Sequence, residues 1–156
     1  MKNHYKLVFA VAVSLLAGLI GSVSTTENIP TWYETLNKPE YTPPNWVFAP
    51  VWTTLYILMG LSAYLIWKEG LSNFRVKKAL TLYGIQLTLN MLWGILFFGL
   101  RNPLYGLLDI TALLILLTLT TKQFKKINKN AAALLMPYIL WVTYASYLNL
   151  GIWLLN

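Results

Sequence analysis

Hydrophobic residues run along this chain in long blocks, without the strict alternation of a strand or the single apolar stripe of a soluble helix. The blocks fall at roughly 7–23, 46–67, 80–100, 104–121 and 131–155. Each approaches the ~20 residues that carry a helix across a ~30 Å hydrocarbon core. Lone sheet edges cannot satisfy their backbone in lipid, and the blocks lack the dyad repeat of barrel strands. The pattern predicts an all-α integral membrane protein, a five-transmembrane-helix bundle forming one domain over residues 1–156. Its spans are expected at about 5–25, 46–68, 78–100, 104–122 and 131–154. The polar interruption at about 27–45 stands apart, because Pro39, Pro43 and Pro44 alternate there with Trp32, Tyr33, Tyr41 and Trp46. Prolines restrict φ, so this segment reads as a stiff aromatic lid over one end of the bundle.

Composition agrees with the pattern. The chain is 57% hydrophobic and 11% charged, against about 25% charged residues in soluble domains. Residues 1–26 imitate a signal peptide, with a basic start and small residues at Gly21, Ser22 and Ser24. The apolar run exceeds a usual signal core, so it is read as a retained first span.

Net charge of +7 raises the question of nucleic acid, and its distribution answers it. Threading five spans places Lys2, Lys6, Lys68, Arg75, Lys77, Lys78, Lys122, Lys125, Lys126 and Lys129 on one side, and only Lys38 and Arg101 on the other. That asymmetry is the positive-inside signal. It puts the N-terminus in the cytoplasm and the proline-rich loop outside, and it leaves no basic excess for a nucleic-acid partner to explain.

Polar residues within spans are costly and mark candidate sites. At ~1.5 Å per residue, Asp109 lies about 9 Å below the lid side, with Trp52 and Trp93 at similar depth and Asn90 one turn deeper. Gln86, Asn90 and Trp93 share one face of the third helix. Tyr138, Trp141, Ala145 and Asn149 share one of the fifth, Tyr105 and Asp109 one of the fourth, and Trp52 and Tyr56 one of the second. Pro137 removes a helical donor and is expected to kink the fifth span.

These stripes suit a cavity in the lid half of the bilayer. Plain packing also suits them, and Asn90 and Asn149 equally suit hydrogen bonds between helices. Asp109 fits either a structural carboxylate or a ligand or proton role. Trp32, Trp46, Trp67 and Trp153 lie at span ends or in loops, where interfacial anchoring is expected. The "GLIG" of the first span reads as small residues for helix contact.

Much chemistry is excluded. The chain has no cysteine and a single histidine, His4, in the N-terminal tail. No usual metal ligand set, no haem ligation and no Ser-His-Asp or Cys-His mechanism can be assembled. No metal and no cofactor is expected.

The stretch "WYETLNKPEYTPPNWVFAPVWTTLYILMG" (32–60) resembles the signature of the tryptophan-rich sensory protein/translocator protein family (TspO/MBR), once called peripheral-type benzodiazepine receptors. "QLTLNMLWGILFFG" (86–99) and "PYILWVTYASYLN" (137–149) are similar to its third- and fifth-helix motifs. The resemblance implies a five-helix bundle, a homodimer, and a pocket opening toward the first loop. It implies binding of porphyrins such as protoporphyrin IX and of hydrophobic drug-like molecules. By motif, Trp52, Asn90, Trp93, Trp141, Ala145 and Leu148 line or border that pocket, and Tyr105 stands where relatives often carry Trp. With the residues read from the spans, the candidate ligand site is Trp52, Tyr56, Asn90, Trp93, Tyr105, Asp109, Tyr138, Trp141, Ala145, Leu148 and Asn149.

Lys38 or Arg101 is expected to meet a porphyrin propionate. Trp52 and Trp141 match tryptophans implicated in light-dependent porphyrin degradation by some bacterial relatives, so a catalytic role for that pair is an alternative to a receptor. A tetrapyrrole or lipid transporter is a third reading, weakened by the lack of an internal repeat. The fifth span ends without Lys or Arg, unlike sterol-handling relatives. Short tails suggest a prokaryotic plasma membrane.

Overall fold

In the computed structural model, which describes residues 3–156, every long element is helical. Helix α1 spans His4–Asn28, α2 Phe48–Trp67, α3 Phe74–Gly94, α4 Pro103–Ile127, α5 Lys129–Leu134 and α6 Met136–Leu155. A short 3-10 turn, Asn45–Val47, leads into α2, and a π-helical turn, Ile95–Gly99, extends α3. Helices α5 and α6 together make one span, giving five that are long and apolar enough to cross a membrane. Lys2, one of the cations in the charge asymmetry, lies outside the described residues.

Several helices run past the hydrophobic blocks. The third begins at Phe74 rather than near 78, and the fourth continues to Ile127 rather than 122. Capping sets these ends, not hydropathy. Asn73 accepts from the Arg75 amide at 2.9 Å, and Asn128 accepts from the Asn130 and Ala131 amides at 3.0 and 3.1 Å. Long basic side chains continue the helix while keeping their charge in water. Lys125 and Lys126 in the last turn of α4 also complement its dipole.

The fifth span breaks at Leu135, one turn after its start. The Leu135 amide bonds back to Ala132 at 3.1 Å, and Pro137 occupies the first turn of α6. Proline cannot donate to the preceding turn, so the interruption expected from the sequence is present. Ser62 Oγ donates to the Ala131 carbonyl at 2.6 Å and ties α2 to the short helix.

The helices form a ring in which α1 packs on α2 and α3, α3 on α4, and α4 on α5 and α6. Glycines permit the closest approaches. A Cβ at Gly94 would sit 2.6 Å from the Gly21 carbonyl oxygen, and one at Gly60 2.5 Å from Val11 Cα. Gly18 faces the Tyr56 ring, so both glycines of "GLIG" serve contacts inside the bundle. Gly84 meets nothing within 4 Å.

Many serine and threonine hydroxyls within the spans bond to their own helix. Ser22, Thr25, Thr26 and Thr53 donate to carbonyls three or four residues back at 2.8–3.2 Å. This satisfies them without water.

Gly94→Ala is expected to cost about 1–3 kcal/mol through overpacking at the α1–α3 crossing. Gly84→Ala, with free space and better helix propensity, is expected to be neutral or to stabilise by up to about 1 kcal/mol. Thermal unfolding in detergent, followed by circular dichroism, checks both.

Candidate ligand-binding site

Three helices, α2, α3 with its π-helical extension, and α6, send aromatic side chains into the end of the bundle that carries the first loop. Trp52 is their meeting point. Its ring lies 5.8 Å from Tyr56, 6.1 Å from Trp93, and 6.4 Å from both Tyr138 and Trp141, measured between centroids. Trp93 stacks on Phe97 at 5.6 Å, and Phe97 meets Phe98 edge-on at 4.7 Å. Such offset and edge-to-face pairs add roughly 0.5–1.5 kcal/mol each beyond area burial.

Two polar threads run through the aromatics. In the first, Tyr56 Oη donates to Asn90 Oδ1, Asn90 Nδ2 donates to Tyr138 Oη at 2.8 Å, and Tyr138 Oη donates to Gln86 Oε1 at 3.0 Å. In the second, Trp93 Nε1 donates to Asn149 Oδ1 at 3.0 Å, and Asn149 Nδ2 to the Pro103 carbonyl at 2.7 Å. The first joins α2, α3 and α6; the second joins α3, α6 and α4. Asn90 and Asn149 therefore form hydrogen bonds between helices, and Asn90 also borders a cavity.

That cavity, about 730 Å³, lies between α1, α2 and α3. Its size falls within the range of drug-sized ligand sites. Trp52, Tyr56, Asn90 and Trp93 line it, with Phe48 and Phe98 nearer the loop. Ile29 and Asn45, at the two ends of the first loop, close its upper end.

The remaining sequence candidates lie elsewhere. Tyr138, Asp109, Ala145, Leu148 and Asn149 are buried in the packed interior. Trp141 borders a shallow groove of about 570 Å³ between α2 and α6, beside Pro50 and Pro137. Tyr105 is half-exposed on the outer face of α4. Among the described residues, Asp109 Oδ2, Gln86 Nε2 and Trp141 Nε1 are buried without a hydrogen-bond partner.

The sequence reading missed α1, which supplies about half of the cavity wall, including Leu15, Gly18, Leu19 and Ser22. Its one available signal was the pair of glycines, read as helix contact. Gly18 does hold Tyr56, but on the cavity wall.

The first loop folds across the end of the bundle and is fastened to α6. Tyr144 Oη donates to the Tyr41 carbonyl and Tyr147 Oη to that of Glu40. Pro39 fills the space over Gly151, and the Asn156 side chain exchanges two hydrogen bonds with the Asn37 backbone. Tyr41 takes φ 65°, a strained value for a residue with a side chain, at the point where Tyr144 holds it.

Trp32, expected as an interfacial anchor, is half-buried. It packs edge-on against Phe97 at 5.5 Å and seals the loop to the aromatic cluster. Trp46 is exposed, as an anchor would be. Lys38 Nζ sits over the Tyr33 ring, 4.7 Å from its centroid. Arg101 Nε donates to Asn28 Oδ1 at 2.9 Å, next to cavity-lining Ile29.

Tyr33, buried under the loop, has its phenol pushed up to about 12, by burial first and then by Tyr144 and Glu34. The folded state thus prefers neutral Tyr33. The associated stability is fully present below the ordinary value near 10 and is lost as pH rises from about 10 toward 12. Phenolate absorbance should show a late-titrating component that shrinks by one tyrosine in Tyr33→Phe. Separately, Asn90→Ala removes the acceptor of the Tyr56 hydroxyl and one of the two hydrogen bonds of Tyr138, and is expected to cost about 1–3 kcal/mol in detergent unfolding.

Comparison with known proteins places this arrangement. The model of the TspO/MBR family matches residues 10–154. The chain is similar to the tryptophan-rich protein TspO of Archaeoglobus fulgidus, with 47% identity over 99% of both chains. It is 41% identical to the tryptophan-rich protein TspO of Chlorobaculum tepidum, over 99% of this chain and 98% of the relative. It is 39% identical to the translocator protein of Bos taurus, over 88% of this chain and 82% of the relative.

Proposed function

This chain belongs to the TspO/MBR family of membrane proteins, and on that premise we propose that it is a receptor or sensor for porphyrins and other hydrophobic small molecules. The observation that carries the reading is the cavity beside Trp52. It offers flat indole and phenol faces from Trp52, Trp93 and Tyr56, an amide at Asn90, and no charged group in its wall. A protoporphyrin IX-like ring is flat and apolar, and aromatic faces suit it.

Carboxylates on such a ligand need cations, and the wall supplies none. Arg101 is the better placed of the two lid-side cations. Its guanidinium is tied to Asn28, one residue from the cavity-lining Ile29. Lys38 is engaged with the carbonyls of Glu34 and Leu36 and with the Tyr33 ring. The reading therefore assigns propionate contact to Arg101.

The proposed orientation puts the N-terminus in the cytoplasm of a prokaryotic plasma membrane, with the first loop on the opposite side, following the lysine asymmetry. Homodimer formation is proposed by analogy with the family. Light-dependent degradation of bound porphyrin is the second reading. It is favoured by the 6.4 Å separation of the Trp52 and Trp141 rings, which would place both indoles in electronic reach of a bound pigment.

Tryptophan fluorescence quenching by protoporphyrin IX in detergent tests the binding. Saturable quenching is expected, reduced at least tenfold in affinity in Trp52→Phe/Trp93→Phe. Arg101→Ala is expected to weaken binding several-fold and to flatten its salt dependence, with Lys38→Ala closer to wild type. Absence of saturable quenching would overturn the porphyrin reading. Illumination against dark and protein-free controls then separates a receptor, which preserves the pigment, from a degrading enzyme, which converts it to a discrete product.

A further inference from the structure

The cavity wall has an open side. Leu16 and Leu19 on α1 are 55% and 63% exposed, and Ala49 and Thr53 on α2 are also exposed, yet all four line the space. These residues form a rim that faces sideways, toward the position of the bilayer. At the loop end the wall stops at Ile29 and Asn45, where the first loop leaves α1 and turns into α2. The rim thus gives hydrocarbon a direct route into the cleft.

Its chemistry matches hydrocarbon. Of the hydroxyls on the wall, those of Ser22, Thr25, Thr26 and Thr53 donate to their own helix and that of Tyr56 donates to Asn90. Their donors are committed to protein, which leaves only acceptor lone pairs in a wall that is otherwise mostly apolar and poorly suited to holding water. Along α1 the lining runs from Ala12 to Ile29, about 25 Å at ~1.5 Å per residue. One leaflet contributes about half of a ~30 Å core, so the cleft can follow an acyl chain through its whole leaflet.

We propose that an acyl chain of a bilayer phospholipid occupies this cleft in the unliganded protein, entering sideways between α1 and α2 with its headgroup level with Ile29 and Asn45. Ligand binding beside Trp52 is then an exchange with lipid. That last clause rests on the receptor reading; lipid occupancy does not.

The test uses the full chain in phosphatidylcholine bilayers with no porphyrin added. Bromine atoms placed midway along the acyl chains quench tryptophan on contact. The difference between wild type and Trp52→Phe isolates the Trp52 contribution. That contribution is expected to fall at least twofold in brominated bilayers, and to recover in Ser22→Phe, which fills the cleft and leaves the outer face of α2 unchanged. Equal quenching in Ser22→Phe would mean that lipid touches Trp52 only from outside the cleft, and would overturn the proposal. Quenching by aqueous iodide but not by brominated lipid would show a water-filled cleft and overturn it too. Indifference to both would show a protein cover, such as a second copy of the chain. Because no ligand is present, each of these results leaves the porphyrin reading to its own test.

Discussion

Hydrocarbon offers no hydrogen bonds, and the arrangement of this bundle follows from that constraint. Buried amides and phenols must find partners on neighbouring helices. Asn90 shows the consequence most clearly, because its side chain receives from Tyr56 on α2 and gives to Tyr138 on α6. Asn149 does the same between Trp93 on α3 and the first carbonyl of α4. Each bond between helices is modest, near 0.6–2 kcal/mol in membranes. Together they hold α2, α3, α4 and α6 in one register at the lid end. The aromatic cluster centred on Trp52 packs around these threads.

The lid and the cavity are consequences of the same register. Tyr144 and Tyr147 lie on the helix that carries Asn149, and they grip the loop at Tyr41 and Glu40. Fixing α6 therefore fixes the lid. Trp32 then closes onto Phe97 and Phe98, beside the Trp93 that the second thread positions. On the opposite flank, Gly18, Gly21 and Gly60 let α1 approach closely at some levels, while the large side chains between them hold a space open. The cavity lies where α1 meets α2 and α3, between the Ser14–Tyr83 hydrogen bond toward one end of α1 and the Arg101–Asn28 hydrogen bond at the other.

Membership of the TspO/MBR family accounts for the five spans, the aromatic lid and the tryptophan-lined site as one inheritance. Tyr105 points to the outer face of α4 and not to the cavity. The only lid-side cations are Lys38 and Arg101, and just one of them reaches the edge of the cavity wall. The wall itself carries no charged group, so positive charge is available to the cavity at its rim.

The hydrophobic blocks alone determined the number of spans and the helical class, because lipid permits few alternatives to a continuous apolar helix. The break at Pro137 was legible for a similar reason, since a missing donor acts within one turn. Helix ends were less legible, because Asn73 and Asn128 set them beyond the point where hydropathy falls. Spacing also placed Asn90, Trp93, Trp52 and Tyr56 near one another. Only the tertiary structure decided that Tyr138, Ala145, Leu148 and Asp109 would be packed away while α1 formed the cavity wall. Periodicity reports which residues share a face of a helix. Which neighbour that face meets, and whether the two faces touch or leave a gap, depends on the volumes of side chains from different helices.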